Sequence, residues 1–493
     1  MTVADLIRAA AADSADAVGL RCGEQSLTYR ELCEAVEHAA AAWQQHGLAP
    51  GDRVAVWSAN TVDCAIAMLS VIVAGGVLVP LNPRYTTPEA AAILDRSSCR
   101  FVAAADRFAG DVSAIVGADR VVTFGGEVPP GGIGWREMLS KAEGLSPRAE
   151  RGEIAAIQFT SGTTGRPKGA MLRQAPMVST SATWSQVVGL GRGDVYPVLY
   201  PLAHVGGFKT GLVAAIHARA TIILVPTVSA SSIVELVRGG GITVLNAPPT
   251  AQSYVLEARR TGRLPGDLGI RTAVIGSAIV PPALIRGLVD DLGVADVVVA
   301  YGLTEATGVC TMTRRNDPIE LVCASIGRAI DGVEVRIEPT ADDPLIGEIE
   351  VRGVNLMAGY LDDPDATAEA LHDGWLRTGD LGWIDAQGYV HICGRARDLV
   401  IVGGFNVYPA EIEQALIAHP AVREAAVIGV PDERLGEVPA AFVVAQGVSP
   451  EDLIAWCRER LANFKIPRHL QLVDDLPRNA MGKVVKAELS LRP

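Results

Sequence analysis

Short apolar runs alternate with longer amphipathic stretches over most of the chain. Leu27-Thr28-Tyr29-Arg30-Glu31-Leu32 opens a helical pattern that continues through the alanines to about His46. Val54-Ala55-Val56-Trp57 then reads as a strand, residues 62–73 as a helix, and Val77-Leu78-Val79-Pro80-Leu81 as a second strand. The alternation continues with strands at Val102-Ala103-Ala104, Val121-Val122-Thr123, Ile222-Ile223-Leu224-Val225, Val244-Leu245-Asn246, Ala273-Val274-Ile275 and Val297-Val298-Val299. Brief, wholly apolar strands separated by helices predict parallel βαβ units with both sheet faces covered. Ligands of such α/β folds sit beyond the carboxyl ends of the strands.

From about residue 325 to 390 the texture changes. Val333-Glu334-Val335-Arg336-Ile337 and Glu348-Ile349-Glu350-Val351-Arg352 alternate apolar with polar residues, as half-exposed antiparallel strands do. After Arg395 a small α+β unit begins, with a helix at 411–416 following Pro409 and strands near 425–430 and 440–444. A helix over 450–461 and a polar tail complete it.

At 493 residues the chain exceeds a single core and corresponds to about three domain-sized units. Its 49% apolar and 20% charged residues describe a packed globular protein. The net charge of −13 argues against broad nucleic-acid or anionic-membrane binding. Eight cysteines are scattered without a C-x-x-C pair, which implies reduced thiols and a cytoplasmic location. The histidines show no H-E-x-x-H spacing, so no zinc site is expected. The start lacks the basic region of a signal peptide, and the longest apolar run, 64–79, contains Gly75-Gly76 and reads as a buried helix turning into a strand.

Candidate chemistry lies in the loops. Ile154-Ala155-Ala156-Ile157-Gln158-Phe159 reads as a strand leading into Thr160-Ser161-Gly162-Thr163-Thr164-Gly165-Arg166-Pro167-Lys168-Gly169. Its glycines free backbone N–H groups to approach an anion, and its hydroxyls and Lys168 suit phosphate oxygens. A flexible surface loop is the alternative. A Walker A loop is excluded, because Lys168 is followed by Gly169. Tyr200-Pro201-Leu202-Ala203-His204-Val205-Gly206-Gly207 sets a histidine beside a Gly-Gly pair, and Ile275-Gly276-Ser277-Ala278 is a small-residue turn. Tyr301-Gly302-Leu303-Thr304-Glu305 offers an aromatic face, a hydroxyl and a carboxylate suited to a hard cation. Trp375-Leu376-Arg377-Thr378-Gly379-Asp380 ends, as a strand-end loop, in an acid suited to a vicinal diol. Taken singly, His204 reads as a semi-buried histidine, Tyr301 as core, Asp398 as a surface acid, Lys483 as solvated, and Cys310 and Cys323 as packing residues.

Five segments in order carry a resemblance: the 160–169 loop, Tyr301-Gly302-Leu303-Thr304-Glu305, Thr378-Gly379-Asp380, Gly394-Arg395-Ala396-Arg397-Asp398 and Pro477-Arg478-Asn479-Ala480-Met481-Gly482-Lys483. Together the chain resembles the adenylate-forming superfamily, which includes acyl-CoA synthetases, adenylation domains of peptide synthetases and luciferases. The resemblance implies an N-terminal domain, 1–396, of doubly wound βαβ sheets plus a small β-barrel. It also implies a small mobile α+β C-terminal domain, 397–493, that rotates between two half-reactions. It implies ATP, magnesium and coenzyme A acting on a small-molecule carboxylic acid. Thr160, Ser161, Gly162, Thr163, Thr164, Gly165 and Lys168 become the phosphate loop. Gly276, Ser277, Ala278, Tyr301 and Gly302 hold the adenine, Thr304 the α-phosphate, and Asp380 with Arg395 the ribose. Glu305 with Thr160 takes magnesium, and Lys483 bridges the acyl carboxylate and the α-phosphate. Lys483, Glu305, Thr304 and His204 are then the catalytic set. Arg397 falls at the pivot, where the family usually has Asp or Lys, and Gly403 and Gly404 fall in the loop lining the pantetheine tunnel.

The acyl pocket is expected from His204, Val205, Gly206, Phe208 and Asn246, with Lys209 either meeting a distal carbonyl or carboxylate or lying on the surface. No Asp near Phe208-Lys209 offers to pair with an amino group, which disfavours amino acids. The small apolar lining suits a fatty, alicyclic or steroid-derived acid. Three activities are compatible with the pattern: an acyl-CoA ligase, a ligase passing the adenylate to an amine or carrier-protein thiol, and a non-catalytic nucleotide sensor. Intact Glu305 and Lys483 argue against the sensor. A homodimer is compatible with the sequence.

Overall fold

The structure, a computed structural model, describes every residue except 149–151, 161–166, 279, 340–344, 403–404, 433, 480–481 and 492–493. The largest sheet has seven strands, ordered Ile133–Gly134, Val121–Phe124, Phe101–Ala105, Arg53–Trp57, Val77–Leu81, Ile154–Thr160 and Lys168–Arg173. All its pairings are parallel except the last, which is an antiparallel hairpin. The 160–169 segment therefore leaves this sheet and returns to its edge. The expectation had only the departing strand, because Lys168–Arg173 carries the mixed pattern of a half-covered strand.

A second sheet runs Val195–Val198, Thr221–Leu224, Val18–Cys22 and Gln25–Thr28. A third runs Val244–Asn246, Thr272–Gly276 and Asp296–Tyr301, all parallel, then antiparallel Thr311–Met312 and Arg328–Ala329. Helices fill the faces between them. Val62–Val73 is buried along nearly its whole surface and starts at Thr61, whose hydroxyl accepts from the Cys64 N–H at 3.2 Å. Thr28 caps Tyr29–Gln45 in the same way, with Glu31 reaching back to the Thr28 N–H at 2.8 Å. Together these two devices satisfy otherwise orphaned N–H groups. Leu69 on the first helix is fully buried, so Leu69→Ala should cost about 2–5 kcal/mol. An N-terminal helix, Val3–Ser14, capped by Thr2 with Asp5, was not anticipated.

The antiparallel expectation for the middle region holds. Val333–Pro339, Gly347–Gly353, Trp375–Ile384, Leu371–His372 and Val390–Arg395 form one half-barrel sheet. A 3₁₀ turn, Ala396–Asp398, leads to the last sheet, built from Phe405–Val407, Val400–Val402, Gly436–Ala445, Val422–Asp432 and His469–Leu472. That unit has its own core around Ile412, Leu416, Val427, Val443 and Leu453. The expected polar tail in fact contributes His469–Leu472, parallel to Gly436–Ala445. Only Leu470 of that strand turns into the core, too weak a pattern to read. Among the described residues no helix is long and apolar enough to cross a membrane.

Candidate active site

Two strand ends meet first. Thr160 closes its strand, and its hydroxyl donates to Glu305 Oε1 at 3.2 Å. Glu305 sits on the short turn Thr304–Ala306 just beyond Asp296–Tyr301, and the same oxygen accepts from the Tyr360 hydroxyl at 2.9 Å. Lys168 Nζ lies 5.3 Å from the centre of the Tyr360 ring. The turn is tight. A Cβ on Gly302 would stand 2.5 Å from the Gly308 carbonyl oxygen, so no side chain fits at position 302. Tyr360 was not anticipated, although an aromatic directly after Gly359 in a region of antiparallel strands was a readable signal.

Glu305 Oε2 has no hydrogen bond among the described residues. The same residues contain no group of three His, Cys, Asp or Glu able to cage a metal. One free carboxylate oxygen beside a hydroxyl fits magnesium, which keeps most of its ligands as water and phosphate.

Asp380 lies inside the strand Trp375–Ile384, not in a strand-end loop as expected. The reason is local. The pairing with Gly347–Gly353 shifts register here, and Gly379 adopts φ +70°, a bulge that re-aims the next side chain. Asp380 is thereby buried and doubly held: Tyr301 donates to Oδ2 at 2.5 Å, and Arg395 Nε donates to Oδ1 at 2.7 Å. Burial raises its carboxyl above the ordinary value, and the Arg395 cation opposes that rise. The tie to Asp380 also fixes the plane of the Tyr301 ring.

His204 is the residue before the short helix Val205–Gly207, and its Nδ1 accepts from the Gly206 N–H at 3.1 Å. That leaves the proton on Nε2. Burial, and then the charge of Lys483, push its pKa down to about 4, so the ring is neutral at physiological pH. Gly207 is sterically required, since a Cβ would stand 2.1 Å from the Pro201 oxygen. Val205 and Phe208 are buried in the main core. Phe208–Val213 forms a π-helical turn, a departure from α geometry frequent at functional sites. Asn246 is buried at its strand end, and the neighbouring Tyr196 hydroxyl accepts from Trp184 Nε1 at 3.2 Å and donates to the Thr210 carbonyl at 2.9 Å. Ser277, at φ +70°, is exposed, as is Ala278.

Lys209 is not a surface lysine. It is fully buried on the π-helical turn, because the residues flanking it on that turn also face inward. Its Nζ has no hydrogen-bond partner among the described residues.

Lys483 reaches the cleft from the C-terminal unit. Its N–H donates to Asn479 Oδ1 at 3.0 Å, and Asn479 N–H donates back to the Lys483 oxygen at 2.9 Å, closing a tight turn. The ammonium is close enough to Asp380, Glu305, Arg395 and His204 for their charges to act on one another. By surface area Lys483 is exposed, as a group projecting into an open cleft is, yet protein surrounds that cleft. Desolvation and then Arg395 lower its pKa, while Asp380 and Glu305 oppose the shift. Arg397 is exposed on the connecting turn, its Nε 3.5 Å from Asp398. Asp398 also lies 3.5 Å from Lys486, which pairs with Glu413 at 2.7 Å. Asp398 is thus more than a plain surface acid. Ser161, Gly162, Thr163, Thr164, Gly165, Gly403 and Gly404 lie outside the described residues.

The profile of the AMP-binding enzyme family matches residues 7–361, and that of the AMP-binding enzyme C-terminal domain matches 411–483. A 3-[(3aS,4S,7aS)-7a-methyl-1,5-dioxo-octahydro-1H-inden-4-yl]propanoyl:CoA ligase of Mycobacterium tuberculosis is 42% identical, over 96% of this chain and 95% of that one. The ligase of the same description from Rhodococcus jostii is 39% identical, over 98% and 97%. Among solved structures, ATP-bound MatB from Rhodopseudomonas palustris superposes with a TM-score of 0.88 at 34% identity, covering 99% of this chain and 98% of that one.

Proposed function

The chain belongs to the AMP-binding enzyme family and is an acid–thiol ligase that forms an acyl-adenylate and then an acyl-CoA, and on that premise we propose how its residues divide the work. A carboxylate oxygen attacks the α-phosphorus of ATP, the bond to the bridging oxygen breaks, and pyrophosphate leaves. Two anions must be brought together in line, so charge neutralisation and positioning supply most of the catalysis. Lys483 serves the acyl carboxylate and the α-phosphate, with Thr304 beside it. Thr160, Lys168 and the loop between them clamp the departing pyrophosphate. Glu305 and Thr160 would hold magnesium, which would supply neutralising charge to the phosphates.

Tyr301 stacks on the adenine, flanked by Gly276, Ser277 and Ala278, while Asp380 and Arg395 take the ribose hydroxyls. His204, neutral with its proton on Nε2, faces the acyl group without adding charge. In the second step the coenzyme A thiol, losing its proton, attacks the acyl carbonyl and AMP leaves. Arg397 is the pivot between the two steps, and 403–404 line the thiol's approach. The observation that carries this reading is the arrival of Lys483, from the C-terminal unit, among Asp380, Glu305 and His204.

The acid is an alicyclic, steroid-derived or fatty one, in keeping with the apolar wall of Val205 and Phe208 and with the ring-bearing propanoates named for the two ligase relatives. The eight cysteines form no disulfide, which suits a reducing cytoplasm. Purified protein with ATP, magnesium and a panel of carboxylic acids should release AMP in step with thioester when coenzyme A is present. AMP and product formed equally fast with amines and no coenzyme A would overturn the choice of acceptor.

A further inference from the structure

Lys209 is the one site-adjacent cation that the proposed division of labour leaves unused. It occupies the π-helical turn directly after His204-Val205-Gly206-Gly207, and its backbone carbonyl accepts from Ser181 Oγ at 3.4 Å. The next residue ties the turn to the acyl segment, because the Thr210 hydroxyl donates to the Gly206 oxygen at 2.8 Å. Nζ lies 5.7 Å from the centre of the Trp184 ring, and Trp184 in turn donates to the Tyr196 hydroxyl, which donates to the Thr210 carbonyl at 2.9 Å. The amine thus borders Trp184 and Tyr196, on the turn that directly follows His204.

Beyond the Trp184 ring face, no group among the described residues balances it. No hydrogen-bond acceptor among them reaches Nζ, and the group whose charge acts on it is the Cys310 thiol. Burial pushes that thiol up to about 12, so it is neutral and offers no anion. Burial also pulls Lys209 itself down to about 7. A fully buried amine with no partner is costly unless a ligand completes it. Leucine or methionine would fill the same volume without that penalty.

We propose that Lys209 determines specificity for the far end of the acid, its Nζ donating a hydrogen bond to an oxygen acceptor, a ketone or a second carboxylate, carried distal to the reacting carboxyl. This rests on the acid-activating reading above and deepens it. A ketone accepts from either protonation state of the amine, whereas a second carboxylate calls for the ammonium. Both present the same chemistry, an acceptor oxygen in an otherwise apolar end of the pocket.

The test uses the full-length wild-type protein and K209M, with ATP, magnesium and coenzyme A, and two matched pairs of acids. One pair is a cycloalkyl propanoic acid with and without a ring ketone. The other is a dicarboxylic acid and the monocarboxylic acid of equal length. Wild type should favour the oxygen-bearing member of at least one pair by about tenfold or more in kcat/KM, since a pocket built to hydrogen-bond a substrate group rejects the analogue that lacks it. In K209M that ratio should fall to about one while the plain acid is used undiminished. The pair that responds identifies the acceptor. Wild-type ratios near one in both pairs overturn the proposal without needing the variant, and so does a preference that survives in K209M. Thioester made from the plain acids by both proteins keeps the ligase reading intact even then.

Discussion

Two of the site's lysines, Lys483 and Lys209, make opposite use of their surroundings. Lys483 stands at the mouth, exposed in area, with Asp380, Glu305 and Arg395 within electrostatic reach. Lys209 stands at the floor, wholly buried, with no ionised partner and no hydrogen bond to Nζ among the described residues. A shared residue type therefore does two jobs. At the mouth, competing charges hold an ammonium ready for anions that arrive and leave. At the floor, a dry environment makes a single donor selective, because an unmet hydrogen bond costs more there than in water. Phosphate chemistry belongs to the first environment and recognition of the acid to the second.

The sharpest way to break the comparison is at the mouth. Lys483→Ala should lower acyl-adenylate formation by about 10²–10³-fold, the loss typical of removing one preorganised charge or donor. Thioester formation from supplied acyl-adenylate should stay near the wild-type rate. Single-turnover assays of each half-reaction separate the two, and equal loss in both would falsify the assigned role. Next comes Asp380→Ala, which frees Tyr301 and strands Arg395. The KM for ATP should rise by about tenfold or more, in line with the roughly 1.5–3 kcal/mol of a hydrogen bond to a charged group. The KM for the acid should move little, and a matching rise in both would place Asp380 outside the nucleotide subsite.

Arg397→Pro acts on the path between half-reactions. Proline fixes φ near −65° in the turn Ala396–Asp398. Thioester formation should slow by several-fold with adenylation spared, and a parallel fall in pyrophosphate release would remove Arg397 from the pivot.

Legibility in the sequence followed the same division between dry and wet. Val62–Val73, Val77–Leu81 and Val244–Asn246 were readable to the residue, because burial on both faces leaves uninterrupted apolar runs. Two half-covered strands without clean alternation were not readable: Lys168–Arg173 and His469–Leu472 each show the core only part of one face. Asp380 was legible as a functional acid, but its place inside a strand was not, since the bulge at Gly379 depends on register with Gly347–Gly353. Tyr360 was missed because its link to Glu305 spans 55 positions of sequence. Lys209 had a local signal, a lone cation in the otherwise uncharged stretch from Val205 to Ile216. That signal alone left interior and surface equally open, and only the packing of the π-helical turn decided between them.

The last effect bears on the floor, through stability rather than rate. Lys209 is pulled from an ordinary lysine value to about 7 by burial, whereas in the unfolded chain it titrates near 10.5. Between those values the unfolded state binds more protons than the native state, so native stability rises with pH across that window and falls as pH drops from about 10.5 to 7. Methionine at 209 does not titrate. The pH-dependent part of the stability advantage of K209M over wild type should therefore be near zero above pH 10.5 and grow as pH falls to 7. It should then level off at no more than about 4–5 kcal/mol, since one pK unit is worth about 1.4 kcal/mol. Denaturant midpoints for both proteins across pH 7 to 10 measure this directly. A gap that does not change with pH would mean that Lys209 stays charged in the folded protein, paired with something at the floor, and the contrast with Lys483 would collapse.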